Sequence, residues 1–333
     1  MEKAKVEWVE YMWNPVTGLF DGEGYCYSRK KLSSFTGDVR MNLFKAKSSQ
    51  IREVYVLEEQ MIAENGQRIT FPLGETPTLY RYRMDVPKRW KMTRNILTCG
   101  LGDLFNPKMP YEVIEEVIEA ARKFPNHHYL FITEFPGRYL ELEKQGLLPG
   151  DENFWFGALV KKGRCPELGE LATTGRHTYQ VCEPLQDRAT VEEGVEWLVI
   201  GPDPEGRSEA PPYSAVLDLV TQARLRNVPV FMCGGLPLPK GSKPDRQLPA
   251  ALMEKKPGEI RSKIQMARCP VCGKDEYKGK QVQIHVKTGR SGFGTVWAWL
   301  CPECFLRLCE EWGIPEPGLA IFRKGDSNDT EQK

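Results

Sequence analysis

Between residues 94 and 232 the apolar positions alternate between two patterns, short runs and helical stripes. Asn95–Thr98 (NILT), His128–Thr133 (HYLFIT), Asn153–Val160 (NFWFGALV), Thr178–Cys182 (TYQVC), Glu196–Ile200 (EWLVI) and Val228–Met232 (VPVFM) have the length and residue types of strands. Between them, residues 110–124 (PYEVIEEVIEAARKF) place apolar side chains at 113, 114, 117, 118 and 121, a helical stripe. Pro110 suits the first turn of that helix and Pro125 marks its exit. Further helices are expected at Gly137–Gln145 and Ser214–Arg226. Strands separated by helices require crossover connections, hence a parallel sheet. The stretch between Val160 and Thr178 reads as loop, so the repeat is imperfect. An open or partial barrel fits it better than an eight-fold one.

Residues 32–85 break this rhythm. Gln50–Glu58 (QIREVYVLE) and Gln67–Phe71 (QRITF) read as strands around an Asn65-Gly66 turn, within an insertion or modified region. Residues 234–260 are rich in Pro, Gly and Lys, a linker composition. The expected organisation is a first domain over 1–236, a linker over 237–262, a small unit over 263–315 and a polar, disordered tail over 325–333.

Composition narrows the partners. The 333 residues are 41% hydrophobic, enough for a core, and the formal net charge is +1. No global charge draws the chain to nucleic acid or membrane, so any basic patch must be local. No apolar run approaches 18 residues and the N-terminal stretch lacks an apolar signal core, which predicts a cytoplasmic protein without a membrane partner. Ten cysteines in such a setting point to metal, catalysis or packing rather than disulfides.

Four of these cysteines form the most specific motif. Residues 269–273 read CPVCG and residues 301–304 read CPEC, on either side of KQVQIHV and TVWAWL, which Gly-rich TGRSGFG connects. Each C-x2-C pair can turn two thiolates onto one ion, and a hairpin between them brings the pairs together. Cys269, Cys272, Cys301 and Cys304 thereby predict a tetrahedral Zn²⁺ site, a zinc ribbon. An iron or iron–sulfur centre is the alternative occupant. Cys309 reads as packing. Arg261, Lys263, Arg268, Lys274, Lys278, Lys280, Lys287 and Arg290 interleave with Tyr277, Phe293 and Trp297. That mixture suits a nucleic acid, cations tracking phosphates and rings stacking on bases; a solvated charged face is the alternative.

The front of the chain carries, in order, WNPVTG, CY, DVPKRWK, DLF, the FP of TEFPGRYLE, EPL, EWLVIG and VPVFMCGG. Over about residues 6–236 this series resembles a phage- and bacteria-associated family of uncharacterised radical-SAM-like proteins. The resemblance implies an α/β fold, a partial (β/α) TIM-like barrel of radical-SAM type, here followed by the small four-cysteine zinc ribbon. It also implies a [4Fe–4S] cluster binding S-adenosylmethionine through three cysteines placed after WNP-x-TG. Here Leu19 stands where the first is expected and Gly24-Tyr25-Cys26-Tyr27 keeps the last Cys-Tyr alone. Trp13, Asn14, Pro15, Thr17, Gly18, Asp103, Thr133 and Glu183-Pro184-Leu185 match the family pattern. Asn106, Glu134 and Gly201-Pro202-Asp203-Pro204 replace its His, Lys and Gly-Gly-Glu-Ser.

In a parallel barrel the strand C-termini share one face, where the site lies. Asp103 and Glu183 follow strands and are the expected catalytic carboxylates, with loop or helix capping as the plainer role. Asn14, Thr17, Cys26 and Thr133 are the expected substrate or cofactor contacts. Cys26, Cys99, Cys182 and Cys233 all follow expected strands and form a candidate second metal site, against the plainer reading of buried packing. His127-His128 precedes a strand and reads as surface at the opposite end. Two functions follow: a radical-SAM-like enzyme acting on nucleic acid, or a catalytically inactive barrel serving as a zinc-dependent nucleic-acid- or protein-binding protein.

Overall fold

The computed structural model describes residues 6–21, 27, 29–34, 38–45, 48–206, 208–254, 266–268, 275–277, 281–288, 292–299, 304 and 307. The chain divides into two compact units, Met1–Gly258 and Glu259–Lys333.

The first unit is built on seven strands: β1 (Tyr11–Trp13), β2 (Asn95–Thr98), β3 (His128–Thr133), β4 (Phe154–Leu159), β5 (His177–Cys182), β6 (Trp197–Ile200) and β7 (Val230–Met232). They pair in chain order and every pairing is parallel. Four helices cross between them: α1 (Tyr111–Arg122) after β2, α2 (Gly137–Lys144) after β3, α3 (Pro166–Ala172) after β4 and α4 (Tyr213–Leu225) after β6. The link from β5 to β6 contains no helix.

Both faces of the sheet are buried, which is why its strands read as near-continuous apolar runs. On one face Ile96, Tyr129, Phe131, Phe154 and Phe156 pack under Val113, Ile114, Val117, Ile118 and Ala121 of α1, the stripe expected from the sequence. Leu198, Ile200, Val230 and Met232 meet Val216, Leu219, Val220 and Ala223 of α4 in the same way. On the other face Leu97, Leu130, Ile132, Trp155, Tyr179, Val181, Trp197 and Val199 form a second layer. That layer is closed by Val6, Trp8 and Val9 from before β1 and by Leu252 from beyond β7.

This topology corrects the expected TIM-like barrel of radical-SAM type. The sheet is open and curled, a half-barrel of seven parallel strands, and β1 and β7 do not pair. The concave face is filled by the chain's own flanking segments, so no opposing strands are needed to bury it. Residues 245–247 cover the β7 edge through Met232 N–H to Asp245 O (2.7 Å) and Gln247 N–H to Val230 O (2.9 Å). Covering an edge in this way shields its unpaired backbone groups. The first part of the expected linker is therefore docked, with Leu252 fully buried.

Three local expectations change as well. The stretch 160–178 holds α3, whose Leu168 and Leu171 are buried. The expected strand at 50–58 is instead a hairpin over 48–57, Ser48–Ile51 against Val54–Leu57, turning at Arg52 with φ 53°. They join Thr78–Tyr80 and Val16–Thr17 in a separate four-stranded sheet. Residues 67–71 form no strand; Ile62 and Arg68 make an isolated bridge across the expected Asn65-Gly66 turn.

In the second unit, Met266–Arg268 pairs antiparallel with Asp275–Tyr277, and Gln281–Thr288 pairs antiparallel with Gly292–Trp299. The second pairing is the expected hairpin between the two C-x2-C motifs. The tail 325–333 lies outside the described residues.

Candidate functional site at the carboxyl ends of the parallel strands

WNPVTG is a junction between the two sheets. Trp13 ends β1, its indole N–H donating to Arg83 O at 2.9 Å. The chain leaves the sheet at Asn14-Pro15, and Val16–Thr17 joins the small sheet. Asn14 Oδ1 accepts the Leu101 N–H at 3.1 Å. The Thr17 hydroxyl is buried against the Tyr80 hydroxyl at 3.2 Å. Gly18 sits at φ +97°, and a Cβ there would lie 2.3 Å from Thr76 O. Asn14 and Thr17, expected to hold substrate or cofactor, thus tie the junction to the loop after β2 and to the strand Thr78–Tyr80.

Asp103 follows β2 and is 3% exposed. Its Oδ2 accepts the Thr133 hydroxyl at 2.9 Å and the Glu134 N–H at 3.1 Å, and its Oδ1 accepts the Phe105 N–H at 3.1 Å. Burial pushes the carboxyl up to about 7 while these donors pull it down. Asp103, expected to be catalytic, and Thr133, expected to contact substrate or cofactor, bond to each other, and together they fix the start of the loop after β3. Glu134, at that loop's first position, pairs with Lys161 beyond β4 at 2.5 Å.

Glu183 follows β5 on the concave side. Its Oε2 accepts the Trp8 indole N–H at 2.9 Å and the Tyr27 hydroxyl. The Cys233 thiol is a further hydrogen-bond partner. Gly201 makes room for this group, since a Cβ there would approach Glu183 Cγ to 2.8 Å and Cys233 Cβ to 3.0 Å. Burial pushes the Glu183 carboxyl up to about 7, and the charges of Glu7 and Asp203 push the same way. Burial and the neighbouring Glu183 hold the Cys233 thiol well above the usual range, so it stays protonated. The group can hold or pass a proton near neutral pH.

The candidate thiols are dispersed. Cys99 packs with the α1 side of the sheet, Cys182 with the α4 side, and Cys233 with the concave layer. Burial pushes Cys99 and Cys182 each up to about 12. Cys26 lies outside the described residues. Among the described residues no three potential metal ligands converge. A [4Fe–4S] cluster needs thiolates at one point, and the three described thiols do not fit one. Of the ribbon cysteines, Cys269, Cys272 and Cys301 lie outside the described residues, and Cys304 is buried.

Sequence reasoning missed Trp8 and Tyr27, which lie 175 and 156 residues from their acceptor. The only local signal is an apolar Val6-Glu7-Trp8-Val9 segment just ahead of β1. It also placed His127 on the surface. The ring is 1% exposed, against the Pro87 carbonyl at 3.1 Å and edge-on to Trp90. Burial lowers its pKa, so this side chain is neutral packing.

Residues 3–233 match the model of a family described as protein of unknown function (DUF5131), and the chain belongs to that family. No curated protein and no solved structure matches it.

Proposed function

We propose that this member of the DUF5131 family is a nucleic-acid-binding protein whose C-terminal unit is organised by Zn²⁺. The backbone register of the Gln281–Thr288/Gly292–Trp299 hairpin carries the reading. Lys287 pairs with Phe293, His285 with Thr295, Gln283 with Trp297 and Gln281 with Trp299. Because strand positions alternate between faces, these eight share one face. Three aromatic positions, a lysine and a histidine thus fall together. The other face carries Val282, Ile284, Val286, Val296 and Ala298. One face suits packing, the other suits stacking on bases beside a phosphate contact.

Zinc follows from the sequence around this hairpin. The register Arg268↔Asp275 leaves residues 269–274 to connect two antiparallel strands, and two of them are Cys269 and Cys272. Cys301 and Cys304 follow the second strand of the larger hairpin. Four thiolates would hold the ion as a structural site, and folding of the unit would depend on it.

The test uses the full chain, its zinc content and a fluorescent single-stranded oligonucleotide. One zinc per chain, and binding that weakens with salt and disappears on chelation, are the expected results. Binding indifferent to chelation and to Cys301→Ser, or no binding at low salt, overturns the proposal.

Glu183 favours a second reading, catalysis on the bound nucleic acid. A buried carboxyl near neutrality at the ends of parallel strands is suited to acid–base work. On this reading Glu183→Gln leaves oligonucleotide affinity intact and abolishes any mass change in the oligonucleotide after incubation.

A further inference from the structure

A cavity of about 470 Å³, within the range of small-molecule sites, opens at the carboxyl ends of β3 and β4. It lies in the first unit and is independent of the nucleic-acid reading. Pro136, Leu159, Val160 and Cys165 give it an apolar wall. Burial pushes the Cys165 thiol up to about 11, so it belongs to that wall as a neutral group. Five charged residues also line the cavity: Glu134, Lys161, Lys162, Arg164 and Glu167.

Three of these five have their charge met within the fold. Lys161 pairs with Glu134 at 2.5 Å. Arg164 pairs at 3.1 Å with Glu192, whose side chain is 3% exposed and whose other oxygen accepts the Cys165 N–H at 2.7 Å. The loop that carries them is pinned through its backbone. Gln186 N–H donates to Lys161 O, Gly163 N–H to Arg188 O and Thr190 N–H to Gly163 O, each at 2.8 Å. Lys162 and Glu167 remain, with no hydrogen bond or ion pair among the described residues. The fixed loop and the first turn of α3 therefore present one uncommitted cation and one uncommitted anion to the same cavity.

We infer that this cavity binds a small zwitterion with an apolar body, of the free α-amino acid class, its carboxylate at Lys162 and its ammonium at Glu167. A simple anion suits the lining less well, because Glu134 and Glu167 would both face it. A simple cation would meet Lys162 and Lys161. A molecule carrying both signs satisfies the two free groups without disturbing the two internal pairs.

Calorimetric titration of the full chain with L-leucine, L-phenylalanine and L-tryptophan tests this. At least one is expected to bind. N-acetylation of that amino acid, which removes its cation, and amidation, which removes its anion, should each weaken binding about tenfold, the worth of one charge-assisted contact. Lys162→Met and Glu167→Gln should do the same with unchanged melting temperatures. The exchange Lys162→Glu with Glu167→Lys should restore part of the affinity, since the ligand can bind reversed. No heat from any of the three amino acids at millimolar concentration overturns the proposal. So does equal affinity for the N-acetyl derivative, which would make the cavity an anion site.

Discussion

The Thr133 hydroxyl donates to Asp103 Oδ2 at 2.9 Å and thereby joins the carboxyl ends of two neighbouring parallel strands. The same oxygen takes the Glu134 amide, and the other takes Phe105. Asp103→Ala leaves these donors buried without an acceptor and should cost about 3 kcal/mol. Thr133→Val removes this bond and the one its hydroxyl accepts from the Phe135 N–H at 3.0 Å, and should cost about 2 kcal/mol. Because the two share a bond, the double variant should cost less than the sum of the singles. Urea unfolding of the four proteins measures this. Asp103→Ala within about 0.5 kcal/mol of wild type would assign the carboxylate no part in closing the strands.

Glu183 predicts how stability changes with pH. Its folded value, about 7, lies above the ordinary 4.5. As pH rises between those values, the unfolded chain gives up this proton before the folded one does. Folding therefore weakens through that window, by about 3 kcal/mol once pH exceeds 7. Asp103, also raised to about 7, acts in the same direction. Melting temperature should fall from pH 5 to pH 8. Glu183→Gln keeps an oxygen for Trp8 and Tyr27 but cannot ionise, so it should flatten part of that slope and melt higher than wild type at pH 8. Parallel slopes for the two proteins would rule this account out.

Much of the sheet was legible because its signals are local. NILT and HYLFIT are bounded apolar runs, and both strands fall where the runs do. The α1 stripe repeats at helical spacing and is buried as spaced. What was not legible depends on contacts distant in sequence or on unmarked backbone. Arg52 turns a hairpin at positive φ without a glycine to announce it. The seven-residue α3 is too short to show a period, and Gly169 interrupts it. Leu252 fills the concave face from within a Pro- and Lys-rich stretch that reads as linker. The TIM-like barrel of radical-SAM type was misjudged for the same reason: nothing local says that Trp8 will lie on Tyr179 and Trp197, at 5.9 and 5.7 Å between ring centres. Asp103 and Glu183 lie beyond the carboxyl ends of β2 and β5, but the partners Tyr80, Leu101, Trp8 and Tyr27 could not be read from the motifs.

Gly18 separates backbone freedom from close approach. Gly18→Ala sets a Cβ 2.3 Å from the Thr76 carbonyl at φ +97°, with Thr76 and Pro77 backbone as the obstacle. Neither can yield without moving the junction, so the variant should lose about 3 kcal/mol. Gly66→Ala is the control. It also has positive φ, +79°, but meets nothing within 4 Å and should lose only about 1 kcal/mol. Thermal melts of the pair check the difference. Equal losses would mean that positive φ alone, and not the packing of WNPVTG against Thr76, accounts for the glycine.

The hairpin face of the second unit predicts two different kinds of loss. On the proposed reading Trp297 stacks on a base, so Trp297→Ala should cost about 1–3 kcal/mol in single-strand binding, much the same at every salt concentration. On the same reading Lys287, opposite Phe293 in the register, meets a phosphate. Lys287→Ala should weaken binding mainly at low salt and reduce the slope of log affinity against log salt by about 0.7, one single-strand phosphate contact. Val296→Thr, on the opposite face of the same strand, serves as the reference and should leave both quantities unchanged. Anisotropy titrations at several salt concentrations resolve affinity and slope together. If Trp297→Ala and Lys287→Ala behave like Val296→Thr, this face of the hairpin is not where nucleic acid binds.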